Sequence, residues 1–123
     1  MKKSKQSRAR EFSPLERQKI ELRDRGKCIF CELGYCTSDG NWFGKEIKSI
    51  MHYIPRAKNG LGIEQNGAIG CQYHHEMMDN GNKGNREEML GIFREYLKSK
   101  YPDWNEKDLI YDKWRFLKEE ETC

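Results

Sequence analysis

With 123 residues, 36% hydrophobic and 35% charged, the chain has material for one domain with a thin core and not comfortably for two. No apolar run reaches the roughly 18 residues that a helical membrane span needs, and the basic start MKKSKQSRAR leads into no apolar stretch, so it does not read as a secretory signal. The net charge of +3 is concentrated there: Lys2, Lys3, Lys5, Arg8 and Arg10 are five of the 23 basic residues, and the rest of the chain carries 18 against 20 acidic ones. Residues 1–12 are therefore expected to form a flexible basic tail, which either holds phosphates by counterion release or is simply solvated. Residues 13–123 are expected to form a single domain. Without an export signal the five cysteines point to a reducing, cytoplasmic setting, where metal binding is a better reading than disulfides.

In chain order, Ser13-Pro14-Leu15-Glu16 opens a helix. Ser13 can cap it, Pro14 suits the first helical position, and Glu16 can reach back to complete a capping box. That helix should run to about Arg25 and stop at Gly26, burying Leu15, Ile20 and Leu22. A cysteine-rich loop follows. Glu46 to Ile54 reads as a strand ended by Pro55, Asn59-Gly60 and Gly62 mark a loop, and Ala68 to Cys71 reads as a second strand. Gln72 to Asn80 reads as a helix. Arg86 to Lys100 places Met89, Leu90, Phe93, Tyr96 and Leu97 on one face, the spacing of an amphipathic helix. A last helix, capped by Asp103 or Asn105, would carry Leu109, Ile110, Lys113, Trp114 and Leu117, so that C-terminal helices occupy 86–118. Trp42 and Phe43 are expected to seal the small core, and Trp104 and Trp114 to pack the C-terminal helices against it.

Cys28-x-x-Cys31 and Cys71-x-x-His74 form two knuckle-like pairs. Zinc takes four soft or borderline ligands in a tetrahedron, and a two-residue gap lets one tight turn supply two of them. One pair precedes the first strand and the other opens a short helix, so a structural zinc would close the module at both ends. Cys36 is a spare that could replace His74 as the fourth ligand. Cys123 has no assigned role.

The segment Met51-His52-Tyr53-Ile54-Pro55-Arg56, then Asn59-Gly60, Asn66 and Cys71-Gln72-Tyr73-His74-His75, resembles the HNH endonuclease family in its zinc-knuckle form, found in bacteria and phages. The resemblance covers about Cys28 to Asp79, with Asn66 fourteen positions after His52 and His75 nine further. It implies an α+β fold: a ββα-metal module over residues 28–80, stapled by zinc and flanked by an N-terminal helix and two C-terminal helices. By the same resemblance His52 is the general base, Asn66 ties the loop to the strand and orients His52, and His75 binds a catalytic divalent metal such as Mg²⁺, Mn²⁺ or a softer ion. Helical neighbours point about 100° apart, which suits His74 to zinc and His75 to the second metal. Arg56 and Lys58 are the candidate phosphate contacts, against an equal prospect of a solvated loop.

The family usually has Asp, His or Glu just before its first histidine, where this chain has Met51. A thioether is a poor partner for a hard cation. Either Asp39, Glu76 or Asp79 supplies the missing ligand, or a softer metal is used, or cleavage is lost and binding retained. Residues 28–84 hold five basic residues (Lys45, Lys48, Arg56, Lys58, Lys83) against six acidic ones, which argues against tight unaided DNA binding. The expected function is metal-dependent hydrolysis of phosphodiester bonds in DNA. The rival is a zinc-stabilised module that binds nucleic acid or a protein partner without cutting.

Overall fold

The computed structural model describes residues 5–35, 44, 46–80 and 85–112. Their helices are α1 (Lys5–Ala9), α2 (Pro14–Asp24), α3 (Ile29–Glu32), α4 (Gln72–Asn80) and α5 (Arg86–Lys100), and their strands β1 (Lys48–His52) and β2 (Gly67–Cys71). The architecture is α+β: helices packed on a two-stranded antiparallel sheet. None of the described helices is long and apolar enough to cross a membrane.

The start of α2 follows its sequence signals. Ser13 Oγ accepts from the Glu16 amide at 3.2 Å, Pro14 opens the helix, and Arg25 and Gly26 end it at φ values of 59° and 66°. The capping box is half made, because the Glu16 carboxylate turns away to accept from the amide of Glu64 at 3.3 Å. The expected buried set is corrected: Ile20 is fully buried, but Leu15 and Leu22 are 60% and 74% exposed. Leu15 and Leu22 lie seven positions apart and so share a face, while the face that meets β2 carries Ile20 and Asp24.

The strands pair in the register Lys48 with Cys71 through His52 with Gly67. Period-two alternation then separates two cores. Met51 and Ala68 join the larger one with Phe30, Met89, Phe93 and Leu97. Ile69 joins Phe12 and Ile20 in the smaller one, with Ile50 against it. The first strand is shorter than the Glu46 to Ile54 expected. Beyond Tyr53, whose amide still donates to the Asn66 carbonyl at 2.8 Å, a side chain takes over the pairing: Ile54 donates to Asn66 Oδ1 at 2.8 Å.

Two terminal expectations are also corrected. Residues 5–12 are not a structureless tail, since α1 forms and Phe12 is buried beside Ile20 and Ile69. The last helix, as far as residue 112, is replaced by a 3₁₀ turn (Glu106–Leu109) capped by Asn105, after which Ile110 forms a bridge to Gly60. Leu61 donates to the Leu109 carbonyl and Tyr111 to that of Asn59, both at 2.7 Å, which pulls the backbone straight. Trp104 sits edge-on to Tyr53 at 5.7 Å and donates to the Gln65 carbonyl. Trp42, Phe43, Lys113, Trp114, Leu117 and Cys123 lie outside the described residues.

A buried ion pair joins these layers. Arg23 donates to both Asp24 oxygens, at 2.7 and 3.0 Å, and to the carbonyls of Glu64 and Gly67. Asp24 also accepts from the Ile69 amide at 2.9 Å and from the Tyr96 hydroxyl. Burial, then the hydrogen bond to Asp24, pushes the Tyr96 phenol up from its usual range. Asp24→Ala would strip the acceptor from four donor groups at once, on Arg23, Ile69 and Tyr96, and leave Arg23 without its anion. It should destabilise the fold by about 3–5 kcal/mol in urea unfolding, as removing one partner of a buried pair does.

Candidate functional site

Two arrangements of chemically capable side chains flank the sheet. The first joins Cys28, which precedes α3, Cys31 within it, Cys71 at the end of β2 and His74 in the first turn of α4. Their donor atoms all lie within 4.8 Å of one another. His74 Nδ1 is 3.6 Å from the Cys28 sulfur, 3.5 Å from that of Cys31 and 3.2 Å from that of Cys71, and the Cys31 and Cys71 sulfurs are 3.8 Å apart. Zinc–sulfur bonds of about 2.3 Å in a tetrahedron put sulfurs about 3.8 Å apart, so the spacing fits a single ion.

The second coordination sphere and the electrostatics agree with that fit. His74 Nε2 donates to the Tyr35 carbonyl at 2.6 Å, which fixes the tautomer and leaves the Nδ1 lone pair facing the sulfurs. Burial opposes ionisation of Cys28, yet its bonds to His74 and to the backbone at Cys31 and Cys71 outweigh this and bring it down to about 7. Burial, followed by the charges of Cys28 and Cys71, pushes Cys31 up to about 12, and burial raises Cys71 too. Crowded thiols of this kind resist shedding their protons together unless a cation sits among them. The four residues can therefore hold a metal ion such as zinc. Cys36, the alternative fourth ligand, lies outside the described residues, and His74 already fills that corner.

The second arrangement is a cavity of about 190 Å³ whose walls include His52, Arg56, His75, Asp79 and Arg86. The two imidazoles that the sequence pairs thus open onto one space, His52 from the end of β1 and His75 from α4. His74 turns inward to the sulfurs while its neighbour His75 faces this cavity, as helical geometry requires. His75 Nε2 lies 3.1 Å from Asp79 Oδ2, one helical turn on, and its Nδ1 lies 3.1 Å from Ser49 Oγ. His75 and Asp79 together present a nitrogen and an oxygen donor, although among the described residues the only cluster of three or more metal donors is the Cys₃His group.

His52 is held from behind. Its Nε2 donates to the Arg10 carbonyl at 2.9 Å, and the Phe12 ring lies against it with centroids 4.4 Å apart. A carbonyl only accepts, so the proton is on Nε2 and Nδ1 keeps its lone pair. Burial lowers the pKa of His52 below its usual value. The bond to Arg10 works against this, and the charges of Arg56, His75 and Arg17 add to the lowering. The ring is therefore neutral at pH 7 and able to accept a proton.

Asn66 is fully buried and works as a cross-link. Besides accepting from Ile54, it donates to the carbonyls of Ile54 at 3.2 Å and Leu61 at 2.8 Å, so one amide closes the loop that follows His52. Arg56 lines the cavity and pairs with Glu11 at 3.5 Å. Lys58, at the other end of the 3₁₀ turn Arg56–Lys58, is exposed and is not among the lining residues.

The reading of Met51 as the occupant of a ligand position is corrected. Its side chain is fully buried in the larger core, on the sheet face opposite Ile50, and does not line the cavity. Of the three carboxylates considered as substitutes, Asp79 is the one in the cavity wall. Glu76 lines a neighbouring depression and accepts from Gln72, and Asp39 lies outside the described residues. Sequence reasoning missed the Arg10 carbonyl, Phe12 and Arg86, whose guanidinium is anchored on the Met78 carbonyl at 2.9 Å. The spacing of Asp79, four residues after His75, was the one signal that could have singled it out. No family model, no curated protein and no solved structure matches the chain.

Proposed function

We propose that this chain is a metal-dependent endonuclease of the HNH type that hydrolyses phosphodiester bonds in DNA, built on a zinc-stapled ββα module. The observation that carries the reading is the opening of His52 and His75 onto one cavity, whose walls also hold Arg56 and Arg86, within the ordered motif. His52, neutral and with Nδ1 unprotonated, takes the proton from an attacking water. Arg56 and Arg86 offer guanidinium groups to the phosphate oxygens, where charge builds during attack. His75 and Asp79 would hold a divalent cation, whose chemistry is to stabilise the charge on the phosphate and the departing oxygen. Asn66 keeps the loop and the end of β1 in register, so that His52 stays aimed. The resemblance to HNH enzymes further suggests 3′-hydroxyl and 5′-phosphate ends.

A second reading has an observation behind it. Among the described residues that line the cavity, Asp79 is the one carboxylate and His52 and His75 the two imidazoles, a sparse donor set that fits a binding module that no longer cuts. Plasmid nicking across Mg²⁺, Mn²⁺, Ni²⁺ and Zn²⁺ separates the two. The nuclease reading expects metal-dependent nicking that His52→Ala reduces by about 10²- to 10⁴-fold. Equal activity in His52→Ala would remove the catalytic assignment, and DNA retention without nicking would favour the binding module.

A further inference from the structure

The N-terminal segment was expected to be a tail, yet it is built into the wall behind His52. Two glycines make room for it. A Cβ at Gly62 would fall 2.1 Å from the Glu11 carbonyl carbon, and one at Gly67 would fall 2.5 Å from Phe12 Cζ. No ordinary side chain fits either place. Gly67 is also the register partner of His52, so the Phe12 ring lies across the bare backbone of one strand and against the imidazole of the other. Polar contacts fasten the same segment: the Gly62 amide donates to the Ala9 carbonyl at 2.9 Å, Gln6 to Asn59 Oδ1 at 2.7 Å and Arg10 to the Arg56 carbonyl at 2.9 Å.

We propose that residues 5–12 are a positioning clamp for His52: docked in the groove left by Gly62 and Gly67, they deliver the Arg10 carbonyl to Nε2 and the Phe12 ring to the imidazole face, so that Nδ1 alone remains to take a proton. The clamp's purpose rests on the nuclease reading, but its geometry does not. An imidazole at a strand end has two tautomers and a rotatable ring. A carbonyl at one nitrogen selects the tautomer, and an aromatic wall at one face restricts the rotation. Phe12 touches no reacting atom; it acts through His52.

The test is long-range ¹H–¹⁵N NMR of the histidine rings in the full chain, with Phe12→Ala and Gly62→Ala as variants. Gly62→Ala disturbs the seat of the segment without altering either ring. In the wild type, His52 should show one tautomer, protonated on Nε2. In both variants it should average between tautomers, while the resonances of His74 and the metal content stay unchanged. A wild-type His52 that is protonated on Nδ1 or already averaging would overturn the clamp, whether or not the variants fold. So would folded variants that keep the single tautomer. If nicking is present, both variants should lose about 100-fold in kcat with KM unchanged, the scale of a misplaced catalytic group. If nicking is absent but the tautomer behaves as described, the nuclease reading fails and the clamp stands.

Discussion

Stripping the metal from Cys28, Cys31, Cys71 and His74 should unfold the chain, not merely silence it. The four donors come from α3 and the residue before it, the end of β2 and the start of α4, and among them Cys28, Cys71 and His74 are wholly or almost wholly buried. An ion there cross-links residues forty or more positions apart. Structural zinc in small peptides contributes about 10–16 kcal/mol of apparent binding energy. That matches or exceeds the roughly 5–15 kcal/mol that holds a whole domain folded. The protein as purified should carry one zinc per chain, and a strong chelator should abolish its cooperative thermal transition and much of its helical circular dichroism. Cys71→Ala should have the same effect. Chelation should also become easier as pH falls, because protons compete for the thiolates, and Cys31 and Cys71 are the reluctant ones. A chelated protein with an unchanged melting temperature would mean that the Cys₃His group is only a cluster of thiols.

Met51→Asp should destabilise the protein by about 3–5 kcal/mol, the scale of an uncompensated buried charge. From sequence alone the substitution looks like a repair that restores a missing ligand and raises Mg²⁺-dependent cleavage. In the fold the side chain is fully buried in the core that contains Phe30, Met89 and Phe93. An aspartate there either ionises without a partner or stays protonated at neutral pH, and both are costly. Met51→Leu, by contrast, should change stability by less than about 1.5 kcal/mol. Urea titration of the two variants beside the wild type gives the comparison. A Met51→Asp protein as stable as the wild type, with increased Mg²⁺-dependent nicking, would show that this residue reaches the cavity after all.

Much of the fold was legible because its signals are local. Ser13 and Pro14 start α2, Arg25 and Gly26 end it, and the apolar spacing from Met89 to Leu97 marks α5; each depends on residues within one or two turns. As far as residue 112, the last helix was misread for the opposite reason. Asn105 does cap a turn, but Ile110 is claimed by Gly60, fifty residues away, and a backbone bridge of that kind leaves no trace in the local pattern. Leu15 and Leu22 were misassigned because apolar character alone does not say which face of a helix the sheet will meet.

The sequence by itself determined the donor chemistry: two C-x-x-ligand pairs, two imidazoles and an amide in order, at gaps that turns and helices can close. That information is chemical identity plus short-range geometry, and it was enough to assign His74 and His75 to different surroundings. Only the tertiary structure decided what lies around each donor. It buried Met51, brought Asp79 and Arg86 to the cavity, and set the Arg10 carbonyl on His52, because these depend on how whole elements cross and on a backbone atom that every residue possesses. Packing is a property of pairs of surfaces, and no single stretch of the chain carries it.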